Sequence, residues 1–382
     1  MKRVILLGAS GSIGQSTCKV ARALPDELRL VGLAVGSNLD ALAELAAEFR
    51  PAAVAVSDAQ RAPQLNGRLP GNIPCFAGPD GLVRLVEETE ADLVLVAIVG
   101  TAGLRPALAA LHSGKDLAVA SKEILVMAGQ EVMSTARRLG RAVLPVDSEH
   151  NAIFQCLQGA QATEIEKLIL TASGGPFRQT PVAELEQVTV AQALKHPTWS
   201  MGKKITIDSA TLFNKGLEMI EARWLFDVPM DRVDVVVHPQ SLVHSLVQFV
   251  DGSLLAQLSH SDMCFPIQYA ITYPRRLPSG LKPLDLGTLG QLRFEPPDPA
   301  KFPALTLARR AGTEGGTLPA VFNAANEIAV DHFLQGRGRF PDIWRTVQTV
   351  MDSHHTIASP DLPAILEADR WAREQAQTLC RA

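Results

Sequence analysis

Residues 1–14 restrict the fold more than any other stretch of this chain. Val4 to Leu7 is a short apolar run that enters Gly8-Ala9-Ser10-Gly11-Ser12-Ile13-Gly14, and from Ile13 the positions Thr17, Val20, Ala21 and Leu24 follow at helical spacing. Strand, glycine turn and helix in that order are what a pyrophosphate-binding loop requires. Glycines let the backbone approach the phosphates, and a helix N-terminus offers open N–H groups and positive potential. The spacing is GxxGxxG, with Ala9 where the usual GxGxxG has its first glycine. A lone glycine motif would read equally well as a structural turn. Here the alternation continues, with strands expected at Leu30–Val35, Ala53–Val56, Leu93–Val99 and Leu117–Ala120, and helices at Leu39–Phe49, Leu82–Glu88 and Leu104–Ser113. That order is the α/β pattern of a doubly wound parallel sheet.

The second strand ends at Gly36-Ser37-Asn38, where an NAD-binding chain places an acid to hold both ribose hydroxyls. Asp40 comes later, in the next expected helix. The turn leaves room for a 2′-phosphate, which favours NADP(H). Ser121-Lys122-Glu123 follows the last strand of the alternation, on the sheet edge where ligands of open α/β sheets bind. Lys122 reads as a ligand-facing base or as a solvated loop lysine.

Two later segments carry the chemistry. Leu144-Pro-Val-Asp-Ser-Glu-His-Asn151 ends an apolar run in carboxylates at i and i+2, Asp147 and Glu149, which share one side if the run is a strand. They could instead cap the helix expected from about Asn151. His196 to Glu221 gathers hydroxyls, His196, Asn214, lysines and Glu218 in a short stretch. Glu218 alone would be an exposed helical acid, but Leu217, Ile220 and Trp224 give its helix a buried side, where an acid wants a partner. Convergent carboxylates suit a hard divalent cation, and a hydroxyl, amide and lysine cluster suits a phosphate. Ser173-Gly174-Gly175, after a strand expected at Leu168–Thr171, is a further anion-friendly turn.

Composition excludes several classes. With 382 residues, a formal net charge of -4 and 20% charged residues, the chain has length for two or three domains and no basic field for nucleic acid. Leu93–Val99, the longest membrane candidate, falls far short of the roughly 20 residues a spanning helix needs. The apolar run after Lys2-Arg3 stops at Gly8, too soon for a signal peptide. Cysteines 18, 75, 156, 264 and 380 are scattered without CxxC, as in a reduced cytoplasmic protein.

From Val233 the chain reads as β, with Val233–Val237, Leu242–Val250 and Leu254–Leu258, the last two joined at the hairpin signal Asp251-Gly252. Tyr273 to Pro303 is rich in Pro and Gly and reads as an extended connection. Helical periodicity returns at Leu305–Ala311, Ala320–Leu334, Ile343–His354 and Leu362–Leu379. His354-His355 reads as a polar helix end, and His150, His238, His244 and His260 as structural or unassigned.

Taken in order, these motifs resemble the 1-deoxy-D-xylulose 5-phosphate reductoisomerase family over essentially the whole chain. The resemblance implies a Rossmann-type NADP-binding domain (residues 1–147), an α+β catalytic domain (148–273), a linker (274–303) and a C-terminal helical domain (304–382). It implies Mg²⁺ or Mn²⁺ held by Asp147, Glu149 and Glu218, with Lys122 completing the catalytic group. Lys122, Ser148, Glu149, Ser173, His196, Trp199, Ser209, Asn214 and Lys215 match substrate contacts, with Trp199 and Met201 on a flap over the substrate. Ser10, Gly11, Ser12, Ile13, Gly36, Ser37, Asn38, Ser121, Glu123, Met201 and Gly202 match the NADPH side. The chain departs from the family at positions 10, 37 and 121, where members often carry Thr, Lys or Arg, and Asn, and this chain has serine. The missing base at 37 bears on recognition of the 2′-phosphate. The implied reaction is rearrangement and reduction of a sugar phosphate by a cytoplasmic homodimer, without nucleic-acid or membrane partners. The competing readings are an NADP-dependent dehydrogenase of homoserine or semialdehyde type, which needs no three-carboxylate site, and a non-enzymatic nucleotide sensor.

Overall fold

The computed structural model describes every residue except Asn66, Pro197, Ser200 and Ala382. Pro197 and Ser200 of the expected flap therefore lie outside the described residues. The first half of the chain forms β1 (Lys2–Leu7), α1 (Ser12–Ala23), β2 (Leu28–Val35), α2 (Leu39–Phe49), β3 (Ala53–Val56), β4 (Cys75–Ala77), α3 (Gly78–Glu88), β5 (Leu93–Val96), α4 (Leu104–His112), β6 (Asp116–Val119), α5 (Glu123–Leu139), β7 (Val143–Pro145) and α6 (Ser148–Cys156). Then come β8 (Ile165–Ala172), α7 (Val190–Ala193), α8 (Lys203–Thr211), α9 (Phe213–Phe226), β9 (Val233–Val237), β10 (Val243–Phe249), β11 (Leu254–Leu258), α10 (Cys264–Thr272) and α11 (Leu286–Leu289). Four helices end the described chain: α12 (Pro303–Glu314), α13 (Leu318–Leu334), α14 (Asp342–Ser353) and α15 (Leu362–Arg381). They group into two compact units. One comprises Met1–Ile124, Gln130–Asn151 and Asp262–Lys282; the other comprises Leu125–Gly129, Ala152–Ser261 and Pro283–Ala382.

The first unit is built on a seven-stranded sheet of order β4-β3-β2-β1-β5-β6-β7, and its pairings are parallel. The strands are apolar runs of Val, Leu and Ala because helices cover both faces of such a sheet. Strand order reverses between β1 and β5, and the crevice beyond their carboxyl ends is where sheets of this kind bind ligands. Gly8 stands there at φ 95°, and a Cβ on it would lie 2.3 Å from the Ala97 carbonyl oxygen. A Cβ on Gly14 would meet the Gly8 carbonyl at the same distance. The loop thus fits only without side chains at these two positions. The expected strand Leu93–Val99 stops at Val96; the chain then leaves the sheet, and Val99 is 82% exposed. α10 returns to this unit late in the sequence and packs on α1, where the Cys264 thiol approaches the Ser16 carbonyl at 3.8 Å.

The second unit holds a four-stranded sheet of order β11-β10-β8-β9. β8 and β9 are parallel, as the helical crossover between them permits, and β10 is antiparallel to both its neighbours. The hairpin falls where Asp251-Gly252 places it: Asp251 accepts the Ser253 N–H at 2.9 Å and Gly252 takes φ 85°. One apolar core runs from Ile165 and Leu168 in the sheet through Phe213 of α9 and Phe322 of α13 to Ala376 of α15. Residues 274–303 are largely without regular structure, apart from α11 and a bridge that pairs Glu295 with Val237. His354 ends α14, bonded to the Thr317 hydroxyl at 2.7 Å, a polar helix end as expected.

Candidate active site

In the first unit the glycine loop is exposed at Gly11 and Ser12, and α1 begins at Ser12 with no side chain capping its N-terminus. Its leading N–H groups are therefore offered to an anion. Gly36, Ser37 and Asn38 are exposed at the end of β2; the Asn38 carboxamide oxygen caps α2 by accepting the Ala41 N–H at 3.1 Å. Ser121, by contrast, is buried and spends its hydroxyl on the Ile98 carbonyl, which ties it to the end of β5. Glu123 opens the first turn of α5.

Lys122 is buried and forms an ion pair with Asp147. The solvated-loop reading of this lysine is thereby excluded. The i, i+2 argument for Asp147 and Glu149 is corrected: β7 ends at Pro145, and Glu149 already lies in the first turn of α6. Strand alternation does not govern the pair. A helix start does, since the Asp147 carbonyl accepts the Asn151 N–H at 2.8 Å. The helix begins three residues earlier than expected, which puts Asp147 at its threshold and sends the Ser148 hydroxyl to Glu149 at 2.6 Å.

In the second unit, the turn after β8 and the C-terminal end of α8 are pressed together. Gly175, at φ 63°, leaves no room for a side chain: a Cβ would lie 2.8 Å from the Ser209 carbonyl oxygen. This close approach sets the Ser173 turn against the backbone of Ser209. His196 joins the same cluster. Its Nδ1 accepts the N–H groups of Thr198 (3.2 Å) and Trp199 (2.9 Å), so that nitrogen carries no proton. The neutral ring then donates from Nε2 to the Ser173 hydroxyl oxygen, 3.1 Å away. That oxygen also accepts the Gly175 N–H at 3.2 Å, which leaves the Ser173 hydroxyl hydrogen to point elsewhere. Burial holds the His196 pKa below the usual imidazole range.

Trp199 and Met201 are half-buried, and exposed Gly202 stands at the N-cap of α8. Leu212 alone joins α8 to α9, in the left-handed conformation at φ 60°. The sharp turn brings Asn214, Lys215 and Glu218 into one cluster on the first turns of α9. Glu218 is fully buried, which rules out an exposed helical acid; one oxygen accepts from Asn214 at 2.5 Å and the other is paired with Lys215.

Sequence reasoning missed Asp208. It is buried beside Ser209, paired with Lys204 at 2.6 Å, and accepts the Asn326 amide of α13 at 2.9 Å. An acid next to Ile207, with Ala210 two residues on, was the available signal. His238 and His244 are structural: His238 bridges the Arg293 carbonyl (2.8 Å) and the Leu242 N–H (3.2 Å), and His244 meets the Ser259 carbonyl at 3.2 Å.

Fold and site define a class: enzymes that join a Rossmann-type nucleotide unit to a second α+β unit carrying anion-binding and acidic groups. Family models narrow it. The model described as 1-deoxy-D-xylulose 5-phosphate reductoisomerase matches residues 4–129, and models of that enzyme's C-terminal domain match 143–226 and 258–375. The 1-deoxy-D-xylulose 5-phosphate reductoisomerase of Pelotomaculum thermopropionicum is 51% identical over 383 residues, covering 100% of this chain and 99% of that protein. That of Chlorobium chlorochromatii is 51% identical over 379 residues, covering 99% of each. Among solved structures, the Zymomonas mobilis enzyme in complex with NADPH is 42% identical with a TM-score of 0.94, covering 100% of this chain and 99% of that one. A complex of the same kind of enzyme with NADPH, fosmidomycin and magnesium gives 41% and 0.91, covering 100% and 98%. The chain belongs to the 1-deoxy-D-xylulose 5-phosphate reductoisomerase family.

Proposed function

We infer that this chain catalyses the NADPH- and divalent-metal-dependent conversion of 1-deoxy-D-xylulose 5-phosphate to 2-C-methyl-D-erythritol 4-phosphate, a step in making isoprenoid precursors. The observation that carries this reading is the full-length match to reductoisomerases at about half identity. The donor chemistry fits a hard cation: Asp147, Glu149 and Glu218 offer only carboxylate oxygens, and two of them are neutralised here by Lys122 and Lys215. When bound, the cation supplies Lewis-acid stabilisation of charge on neighbouring substrate oxygens. Mg²⁺ and Mn²⁺ both suit this donor set.

The remaining roles belong to the chain's own groups. Lys122, held beside Asp147, would place its ammonium against the reacting oxygens, with Ser148 and Glu149 beside it. Ser173, Ser209, Asn214 and Lys215 would grip the phosphate; in support, the spare hydroxyl hydrogen of Ser173 is an unspent donor for a phosphate oxygen. His196 acts by positioning, since it orients Ser173 through Nε2 and the Trp199 segment through Nδ1. Trp199 and Met201 would cover the bound sugar and exclude water. On the cofactor side, the uncapped α1 N-terminus with Ser10, Gly11, Ser12 and Ile13 suits the pyrophosphate, the acid-free turn Gly36-Ser37-Asn38 suits the 2′-phosphate, and Ser121, Glu123 and Gly202 would border the nicotinamide end. Residues 1–147 and 304–382 would serve as nucleotide and supporting parts joined by 274–303, and 148–273 as the catalytic part except for α10, which belongs with the nucleotide unit. A cytoplasmic homodimer completes the reading; no helix among the described residues is long and apolar enough to cross a membrane.

The deciding assay follows NADPH oxidation with 1-deoxy-D-xylulose 5-phosphate, with and without Mg²⁺, and examines the product by carbon NMR. A branched polyol phosphate formed only with metal is expected. An unbranched product would refute the rearrangement even if NADPH were consumed.

A further inference from the structure

The turn that receives the adenosine ribose has no base of its own, yet it is not without positive charge. β3 lies beside β2, and pairing continues past both strand ends: Ser57 N–H donates to the Val35 carbonyl at 2.9 Å and Asp58 N–H to the Gly36 carbonyl at 3.1 Å. These bonds pin the segment after β3 to the Gly36-Ser37-Asn38 turn. From that segment Arg61 reaches across, and its Nη1 donates to the Ser37 carbonyl at 3.3 Å. A turn of 3₁₀ helix over Ala62–Leu65 then carries the chain to Arg68, which is paired with Asp40. Ser37, Asn38, Asp40, Arg61, Gln64 and Arg68 together line a pocket of about 360 Å³.

Resting on the NADPH reading above, we propose that Arg61, assisted by Arg68, recognises the cofactor's 2′-phosphate in place of a base at position 37. In a Rossmann-type sheet the ribose hydroxyls lie at the end of the second strand, which is where the Arg61 guanidinium stands. A guanidinium has five N–H donors in a planar fork that matches phosphate oxygens two at a time. The bond to Ser37 aims the fork, while the pairing of Nε with Asp58, at 3.5 Å, is loose and leaves Arg61 able to turn toward a stronger anion. Arg68 neutralises Asp40, a carboxylate that lines the pocket and would otherwise repel the phosphate. The base has moved in sequence from the β2 turn to the next loop, and in space it serves the same corner.

The test is direct binding of NADPH and NADH to the full chain without sugar phosphate, followed by fluorescence of the reduced nicotinamide, with 2′,5′-ADP and 5′-AMP as competitors. Wild type is expected to prefer NADPH. Arg61→Gln should weaken NADPH and 2′,5′-ADP about tenfold, the scale of a charge-assisted hydrogen bond, and leave NADH and 5′-AMP unchanged. Arg61→Lys should recover part of the loss, and Arg68→Gln should show a smaller one. Arg61 is more than half exposed, so its replacement leaves the fold intact. Wild-type preference for NADPH retained in full by Arg61→Gln would overturn the proposal while leaving the cofactor reading standing. Wild type that binds the two cofactors equally would also overturn it, and wild type that binds neither would remove the cofactor reading and this inference with it.

Discussion

His196 shows how one side chain's protonation state follows from its neighbours. Two backbone N–H groups aimed at Nδ1 leave no place for a second ring proton, and burial opposes charge, so both effects favour the neutral ring. A group whose folded pKa is depressed contributes stability that is present above its unfolded value, near 6.5, and lost as pH falls through the folded value. The His196 ring resonance is therefore expected to titrate below about 6.5 in the free protein. Titration above that value would contradict the downward shift that burial imposes. Glu218 makes the complementary case. Glu218→Gln keeps the shape and the Asn214 contact but removes a negative charge, so Mn²⁺ affinity measured by calorimetry should fall at least tenfold with the fold unchanged. Undiminished affinity would take Glu218 out of the ligand set. The need for a partner at Glu218 was legible from its apolar helical neighbours. The identity of that partner was less so, because Lys215 reads from sequence as a phosphate ligand, and the structure pairs it with the acid.

At the scale of elements, the Ser173 turn and α8 depend on a backbone contact that no side chain can mediate. Gly175→Ala puts a methyl against the Ser209 carbonyl and forces a left-handed conformation that alone costs an L-residue about 1–2 kcal/mol. The expected outcome is a stability loss of about 2–3 kcal/mol in denaturant unfolding. Substrate KM should also rise, with NADPH affinity kept, since the Ser173 and Ser209 groups move apart. Equal KM values for variant and wild type would show that the contact does not hold those groups. Sequence patterns located most elements because both periods are strong here: β3, β9, β11 and α2 start and end where the apolar runs do. They missed β4, whose three apolar residues are too few to show a period, and the helix α5, which was not read from the sequence at all. They placed the start of α6 too late, because the alternation of Leu144, Val146 and Ser148 hides a helix that opens at Ser148. They also looked for the ribose-binding base only in the β2 turn. A strand-to-strand hydrogen bond, which sequence does not display, is what brings Arg61 there.

The whole molecule follows the expected order of nucleotide fold, mixed sheet and helices, but the grouping of segments could not be read along the chain. α10 lies after the second sheet in sequence and belongs with the first unit in space, its apolar side chains Ile267 and Ala270 fully buried and its Pro266 carbonyl accepting the Asn151 amide at 3.2 Å. The sequence reading placed no helix at Cys264–Thr272, and periodicity is silent about which distant face such a helix would cover. A fragment of residues 1–151 is accordingly expected to be cut by dilute protease faster than the same fragment mixed with a peptide of residues 262–282. Equal rates would show that α10 is not needed to close the unit.

The late return of α10 also sets a schedule for the growing chain. A ribosome that has finished Asn151 must still make residues 152–282 before the nucleotide unit has all its parts, a delay on the order of ten seconds at usual elongation rates. During that interval the face of α1 that α10 will cover is open to chaperones, or to a neighbouring nascent chain on the same message. Folding from the N-terminus in domain order is thus closed to this protein: the first unit begun is not complete until about half of the second has been synthesised.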